Sequence, residues 1–251
     1  MDSAAHRSSE KQIETLERLI HSHSEPDLLA AAENPNLTED LARAMLSRRD
    51  LPPAVLQELA KNSAVLKQRP VIVGLVAHPR TPRFVSLPLA RSLFPFELMQ
   101  VAMSPAVAAD LKIAIEQMIL DKLDKLSLGE RLTLALRGPT RIAERLLLDP
   151  EQRVVETALQ NPHLTEACIV RTLMREAEHF NFVELIANHP KWSLRIDVRC
   201  ALLRNPKTPM SVALHFAQTL PADVARDALF HSNLPASVKT YLMAEIQRRQ
   251  R

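Results

Sequence analysis

Apolar residues recur in this chain at i, i+3 and i+4 over short spans, and each span is closed by a polar residue and a proline. The clearest example is Asp149–Leu173, DPEQRVVETALQNPHLTEACIVRTL. Pro150 suits the first turn of a helix, where an amide N–H would lack a partner in any case. Val154, Thr157 and Ala158 follow on one predicted face. Asn161-Pro162 ends the helix, because the residue before a proline is pushed out of the α region. Thr165 is the expected N-cap of a second helix, with Ala167, Ile169, Val170 and Leu173 as its apolar face. The pattern returns 44 residues on with Val198, Ala201, Leu202, Asn205-Pro206 and Thr208-Pro209.

The same punctuation predicts short helices along most of the chain. Residues 1–8 read as a disordered tail. Glu10–His21 carries Ile13, Leu16, Leu19 and Ile20, and is expected to cap the end of an array. Pro26 opens a helix over Leu28–Ala32. Corners follow at Asn34-Pro35, Arg49-Asp50-Leu51-Pro52, His78-Pro79-Arg80-Thr81-Pro82 and, last, Ser232-Asn233-Leu234-Pro235, with a further one at Asn188-His189-Pro190. Anchored on the Thr or Pro that opens each helix, the spacings are 14, 30, 83, 44 and 26 residues, so an irregular array is expected. The widest gap holds Phe84, Phe94 and Phe96, then a long helix over Pro105–Lys125, a shorter one over Leu128–Leu136 and a third over Arg141–Leu148. The three phenylalanines are expected to fill the core of an irregular layer, with a partner-anchoring patch as the other reading. A last helix, Pro235–Arg248, ends in QRRQR, where arginines favour the negative end of the helix macrodipole.

The residues Asp149-Pro150, Arg153-Val154, Thr157-Ala158, Asn161-Pro162 and Leu164-Thr165 are echoed at Val198-Arg199, Ala201-Leu202, Asn205-Pro206 and Thr208-Pro209. This pattern resembles the bacterial HEAT-like solenoids of the leucine-rich repeat variant type. The resemblance covers Pro139–Gln218 well and Asn34–Pro82 more faintly. It implies an all-α fold, an irregular right-handed superhelix of short stacked helices, spanning residues 9–248 as one domain with a basic tail at 249–251. It implies interaction as the broad role and brings no catalytic residue. The family's founding member carries a cysteine-ligated iron–sulfur cluster ahead of its repeats. No cysteine precedes the repeats here, so no cofactor is expected.

Composition narrows the function classes. The 3 glycines among 251 residues, against 18 prolines, leave no Walker, GxGxxG or GxSxG sequence, and HExxH is absent as well. His21-Ser22-His23 offers two ligands, too few for a metal site. Cys168 and Cys200 lie within helical patterns and read as small buried hydrophobes. Glu176 and Glu178 are too closely spaced to share a helix face. A glycosylase-like groove would need aromatic and acidic residues together, and Trp192, Tyr241 and Asp197 do not supply them. No apolar run reaches membrane-spanning length and the first residues lack a signal-peptide core, so a cytoplasmic location is expected.

The net charge of +3 is uneven: from Pro190 onward there are ten Lys and Arg against four Asp and Glu. Arg195, Arg199 and Arg204 stand out there, the first two four residues apart on one predicted helix face. The expected function is a non-catalytic scaffold binding another protein, one with an acidic patch, through Arg195, Arg199, Arg204, Phe94 and Phe96. The alternative is a nucleic-acid backbone held by the basic C-terminal third. No membrane partner is expected.

Overall fold

The computed structural model describes residues 14–175 and 181–249. Among these residues there are seventeen helices, one 3-10 turn at Leu123–Lys125 and no strand. Among the described residues no helix is long and apolar enough to cross a membrane. The chain forms two compact units, Met1–Asp124 and Lys125–Arg251.

The first unit holds α1 (14–20), α2 (Glu25–Glu33), α3 (Glu39–Ser47), α4 (Pro53–Leu59), α5 (Arg69–Ala77), α6 (Arg83–Arg91), α7 (Pro95–Met103) and α8 (Ala109–Leu120). The second holds α9 (Leu128–Arg137), α10 (Thr140–Leu146), α11 (Gln152–Ala158), α12 (Glu166–Met174), α13 (Asn181–Asn188), α14 (Ile196–Arg204), α15 (Met210–Thr219), α16 (Ala222–Phe230) and α17 (Ala236–Arg249). In both units helices pack on the next but one: α2 on α4, α3 on α5, α5 on α7 and α6 on α8, then α9 on α11, α10 on α12, α12 on α14, α14 on α16 and α15 on α17. The arrangement is repeat-like, with two alternating rows in each unit.

How the helices end explains the corner motif. The last carbonyls of a helix lack intrahelical partners, and a left-handed glycine often turns the chain back to satisfy them. Here no described residue, glycine included, has a positive φ. The carbonyls are met instead by a residue that follows the helix two places later. Arg48, after α3, donates to the Ile20 and Ser22 carbonyls at the end of α1 (2.8 and 2.7 Å). Asn62, after α4, donates to Ala32 and Asn34 (2.8 and 2.9 Å), and His78, after α5, lies 2.8 Å from the Arg48 carbonyl. In the second unit Asn161 caps α9 through Ala135 and Gly138, Trp192 caps α11 through Leu159, and Asn205 caps α12 through Leu173. Asn34, Asn62, Asn161 and Asn205 also accept the backbone N–H two residues on, which sets the sharp turn. The corner residue therefore shapes its own turn and, in most cases, ties it to the layer beneath.

The second unit repeats the first in register. Adding 127 to every residue number carries α3 onto α12, α5 onto α14 and α7 onto α16 with identical bounds, and the remaining helices α1–α8 onto α10–α17 nearly so. Asn34-Pro35, Leu37-Thr38-Glu39, Arg48, Val71, Leu75, Pro79 and Thr81-Pro82 reappear as Asn161-Pro162, Leu164-Thr165-Glu166, Arg175, Val198, Leu202, Pro206 and Thr208-Pro209. Contacts repeat too: the hydroxyl of Thr81 donates to the Leu75 carbonyl, and that of Thr208 to Leu202 (2.7 and 2.6 Å). The corners Asn34, Arg48, Asn62 and His78 return as Asn161, Arg175, His189 and Asn205, spaced 14, 14 and 16 residues in both units. The irregular spacings read from Thr and Pro anchors dissolve into this longer register.

Several local expectations are corrected. The helix predicted over Pro105–Lys125 is the shorter α8, because Ser104–Val107 forms another corner turn and Leu123–Lys125 is a 3-10 turn. On α11 the core takes Val154, Val155 and Ala158 while Thr157 is half-exposed, and on α12 it takes Cys168, Ile169, Thr172 and Leu173 while Ala167 is exposed. Each of these helices has neighbours on two sides, so its buried stripe is wider than one face. Arg249, expected to sit against its own helix dipole, instead donates to Ala217 and Leu220 at the end of α15. The N-terminal tail at 1–8, the start of the predicted capping helix from Glu10 to Ile13, Glu176, Glu178 and the last two residues lie outside the described residues.

Candidate interaction surfaces

In the second unit α12, α14 and α16 bury Ile169 and Leu173, Val198 and Leu202, and Ala225 and Leu229. Their outward stripes form an open groove of about 760 Å³. Ala167, Val170 and Met174 line it from α12, Ile196 and Cys200 from α14, and Val224 from α16. Met174 and Ile196 are 56% and 53% exposed and both belong to this one apolar patch. Glu166, Asp197 and Asp227 bring three carboxylates to the groove and Arg204 one guanidinium, which lies 3.1 Å from Asp227. The Nε of Arg204 is buried without a hydrogen-bond partner. Burial pushes the Cys200 thiol above its ordinary value, which favours the protonated form.

The first unit carries a different exposed cluster. Phe84, Phe94 and Phe96 are 69%, 63% and 40% exposed, which overturns the expectation that they fill a core. The reason lies in where they fall on their helices. The core takes Ser86 and Ala90 from α6 and Leu98, Val101 and Ala102 from α7. Phe94 sits just before α7 with its backbone N–H on the Glu97 carboxylate (2.7 Å), and the Arg69 guanidinium lies 4.2 Å from its ring centroid. Arg69 in turn forms a two-pronged ion pair with Glu97 and holds that carboxyl below its usual range.

The three arginines singled out in the sequence do not share a face. Arg195 precedes α14 and is exposed. Arg199 turns towards α15, donating to the Ser193 carbonyl (2.6 Å) with its guanidinium 5.5 Å from the Phe216 ring centroid. Arg204 turns the other way, to Asp227 on α16. Among the described residues no three of His, Cys, Asp and Glu converge as metal ligands. His23 faces Asp50 at 4.0 Å, and Asp50 is held down to about 2, chiefly by its hydrogen bond from Arg48.

No family model matches this chain, and it matches neither a curated protein nor a solved structure. Sequence reading put Val170 on a core-facing stripe and passed over Met174, Ile196 and Val224, because a helix with a wide apolar stripe looks the same whether or not every apolar residue is covered. Comparison of the chain with itself at an offset of 127 residues is the signal that finds them.

Proposed function

We propose that the protein is a non-catalytic, cytoplasmic interaction scaffold whose units are HEAT-like stacks of the leucine-rich repeat variant kind, and that it binds protein through outward helix faces. The observation that carries this reading is the set of large apolar side chains left in water on, or just before, otherwise well-packed helices: Phe84 and Phe94 in one unit, Met174 and Ile196 in the other. Exposed apolar surface of this kind favours a protein surface over a phosphate backbone. The nucleic-acid reading loses ground because Arg199, Arg204 and Arg249 are engaged by internal partners, which lowers the count of cations free to displace counterions.

Affinity purification of the full chain from its native cell, with and without nuclease, tests the reading. A protein partner that stays bound after nuclease treatment is the expected result. Tight binding of mixed-sequence duplex DNA, weakening by about 0.9 in log K per log salt for each phosphate neutralised, would overturn it, above all if the double change Arg195→Glu and Arg199→Glu abolished that binding.

A further inference from the structure

The in-register repeat supplies an internal control for the α12–α14–α16 groove. The matching face in the first unit is made by α3, α5 and α7. Where the groove has Ala167, Val170 and Met174, the first unit has Asp40, Arg43 and Ser47. Where it has Ile196 and Val224, the first unit has Arg69 and Glu97, and these two form an ion pair from α5 to α7. The fold thus accepts polar or charged side chains at all five positions. Packing does not require the apolar set, and leaving Met174 and Ile196 in water gains nothing for the isolated fold. The charged positions differ in the same place. Asp197 and Asp227 stand where the first unit has Pro70 and Gln100, Arg204 stands where it has Ala77, and Glu166 matches Glu39. The groove carries an apolar floor and a rim with more negative than positive groups.

We propose that this groove docks a basic amphipathic helix of a partner protein, with apolar side chains seated between α12, α14 and α16 and lysines or arginines against Glu166 and Asp197. An apolar stripe of i, i+3, i+4 and i+7 anchors is the shape that such grooves take. Opposite charge on the rim steers encounter and sets orientation. The inference rests on the protein-binding reading above, and it reverses the partner charge expected from Arg195, Arg199 and Arg204.

The test uses the full chain and a fluorescein-labelled synthetic helix with leucines at i, i+3, i+4 and i+7 flanked by lysines, followed by fluorescence anisotropy. The double variant Ile196→Arg with Val224→Glu installs the ion pair that the first unit already has at Arg69 and Glu97, so it is expected to fold and keep its thermal midpoint. Binding to the native chain, weakened at least about tenfold in this variant, is the expected result. Asp197→Lys, a change at an exposed position, is a second variant that does not depend on the first; it should weaken the lysine peptide and spare a glutamine-flanked counterpart. The proposal is overturned if the native chain does not bind the lysine peptide, if the double variant binds it equally well, or if a glutamate-flanked peptide binds as tightly. A self-associated dimer dispersed by the double variant would also overturn it, by making a second copy the occupant. If the peptide fails while a nuclease-resistant partner is still captured, only this groove is lost. If capture itself depends on nucleic acid, the protein-binding reading falls with it.

Discussion

Asn161→Ala should be among the most damaging single truncations of a polar side chain in this protein. Asn161 is fully buried, and its amide donates to the Ala135 and Gly138 carbonyls at 2.8 and 3.0 Å. Its carbonyl oxygen accepts the His163 N–H at 2.7 Å. Alanine removes all three hydrogen bonds. His163 lies at the surface, so water can satisfy its N–H, but the two carbonyls at the end of α9 have no such access beneath the corner. Each buried polar group left without a partner costs about 1–3 kcal/mol, so the two carbonyls together imply a loss of about 2–6 kcal/mol. For a chain of this size that corresponds to roughly 4–24 °C in thermal midpoint, read by circular dichroism at 222 nm. Asn161→Asp is the sharper control. It keeps the acceptor for His163 but sets a carboxylate against two carbonyls, so it should cost at least as much. Asn205→Ala removes a single carbonyl contact, to Leu173, and should cost about half. A midpoint shift below about 1 °C for Asn161→Ala, or an aspartate variant as stable as the native chain, would refute the idea that corner amides tie successive layers together.

Leu202→Ala, at a fully buried position of α14, should cost about 2–5 kcal/mol in urea unfolding, and a loss under about half a kcal/mol would break the assigned register. Gly138→Ala should destabilise although the φ of −69° suits alanine, because the new Cβ would press on the Leu134 carbonyl that the Gly138 N–H bonds at 2.8 Å. Gly129→Ala, with open space around it, should be neutral or stabilising by up to about 1 kcal/mol, and equal losses at both glycines would defeat the argument. His78 is held neutral: its Nδ1 accepts the Arg80 N–H and its Nε2 donates to the Arg48 carbonyl, while burial, helped by the Arg80 charge, pushes its pKa below 6.5. Its contribution to stability is therefore complete above pH 6.5 and is lost as pH falls through the lower folded value. His78→Asn, which copies Asn205 at the matching corner, should lose less stability between pH 7 and pH 5 than the native chain, and identical pH profiles would rule this out.

Much of the fold was legible in the amino-acid order. Asn-Pro and His-Pro corners, prolines in first turns and a scarcity of glycine dictate short helices, since each acts on the backbone within a few residues. The apolar periodicity placed Val154, Ala158, Val198 and Leu202 in the core, where they are. The 127-residue register was also written in the chain, yet the corner positions exchange Asn, His and Arg freely, and a search for one motif passes over them. Arg48, Asn62, His78, Asn161 and Asn205 share instead a hydrogen bond to a carbonyl 23 to 32 residues earlier. Only the tertiary structure decided which apolar residues are covered. Phe84 and Phe94 look like core in the sequence and lie in water, while Trp192 lies buried with its indole capping Leu159. It also decided the fate of the arginines, dispersing Arg195, Arg199 and Arg204 to different neighbours. A helix pattern specifies which residues share a face, but burial and ion pairing depend on what lies against that face, and in this protein that neighbour comes from the next helix or the next but one.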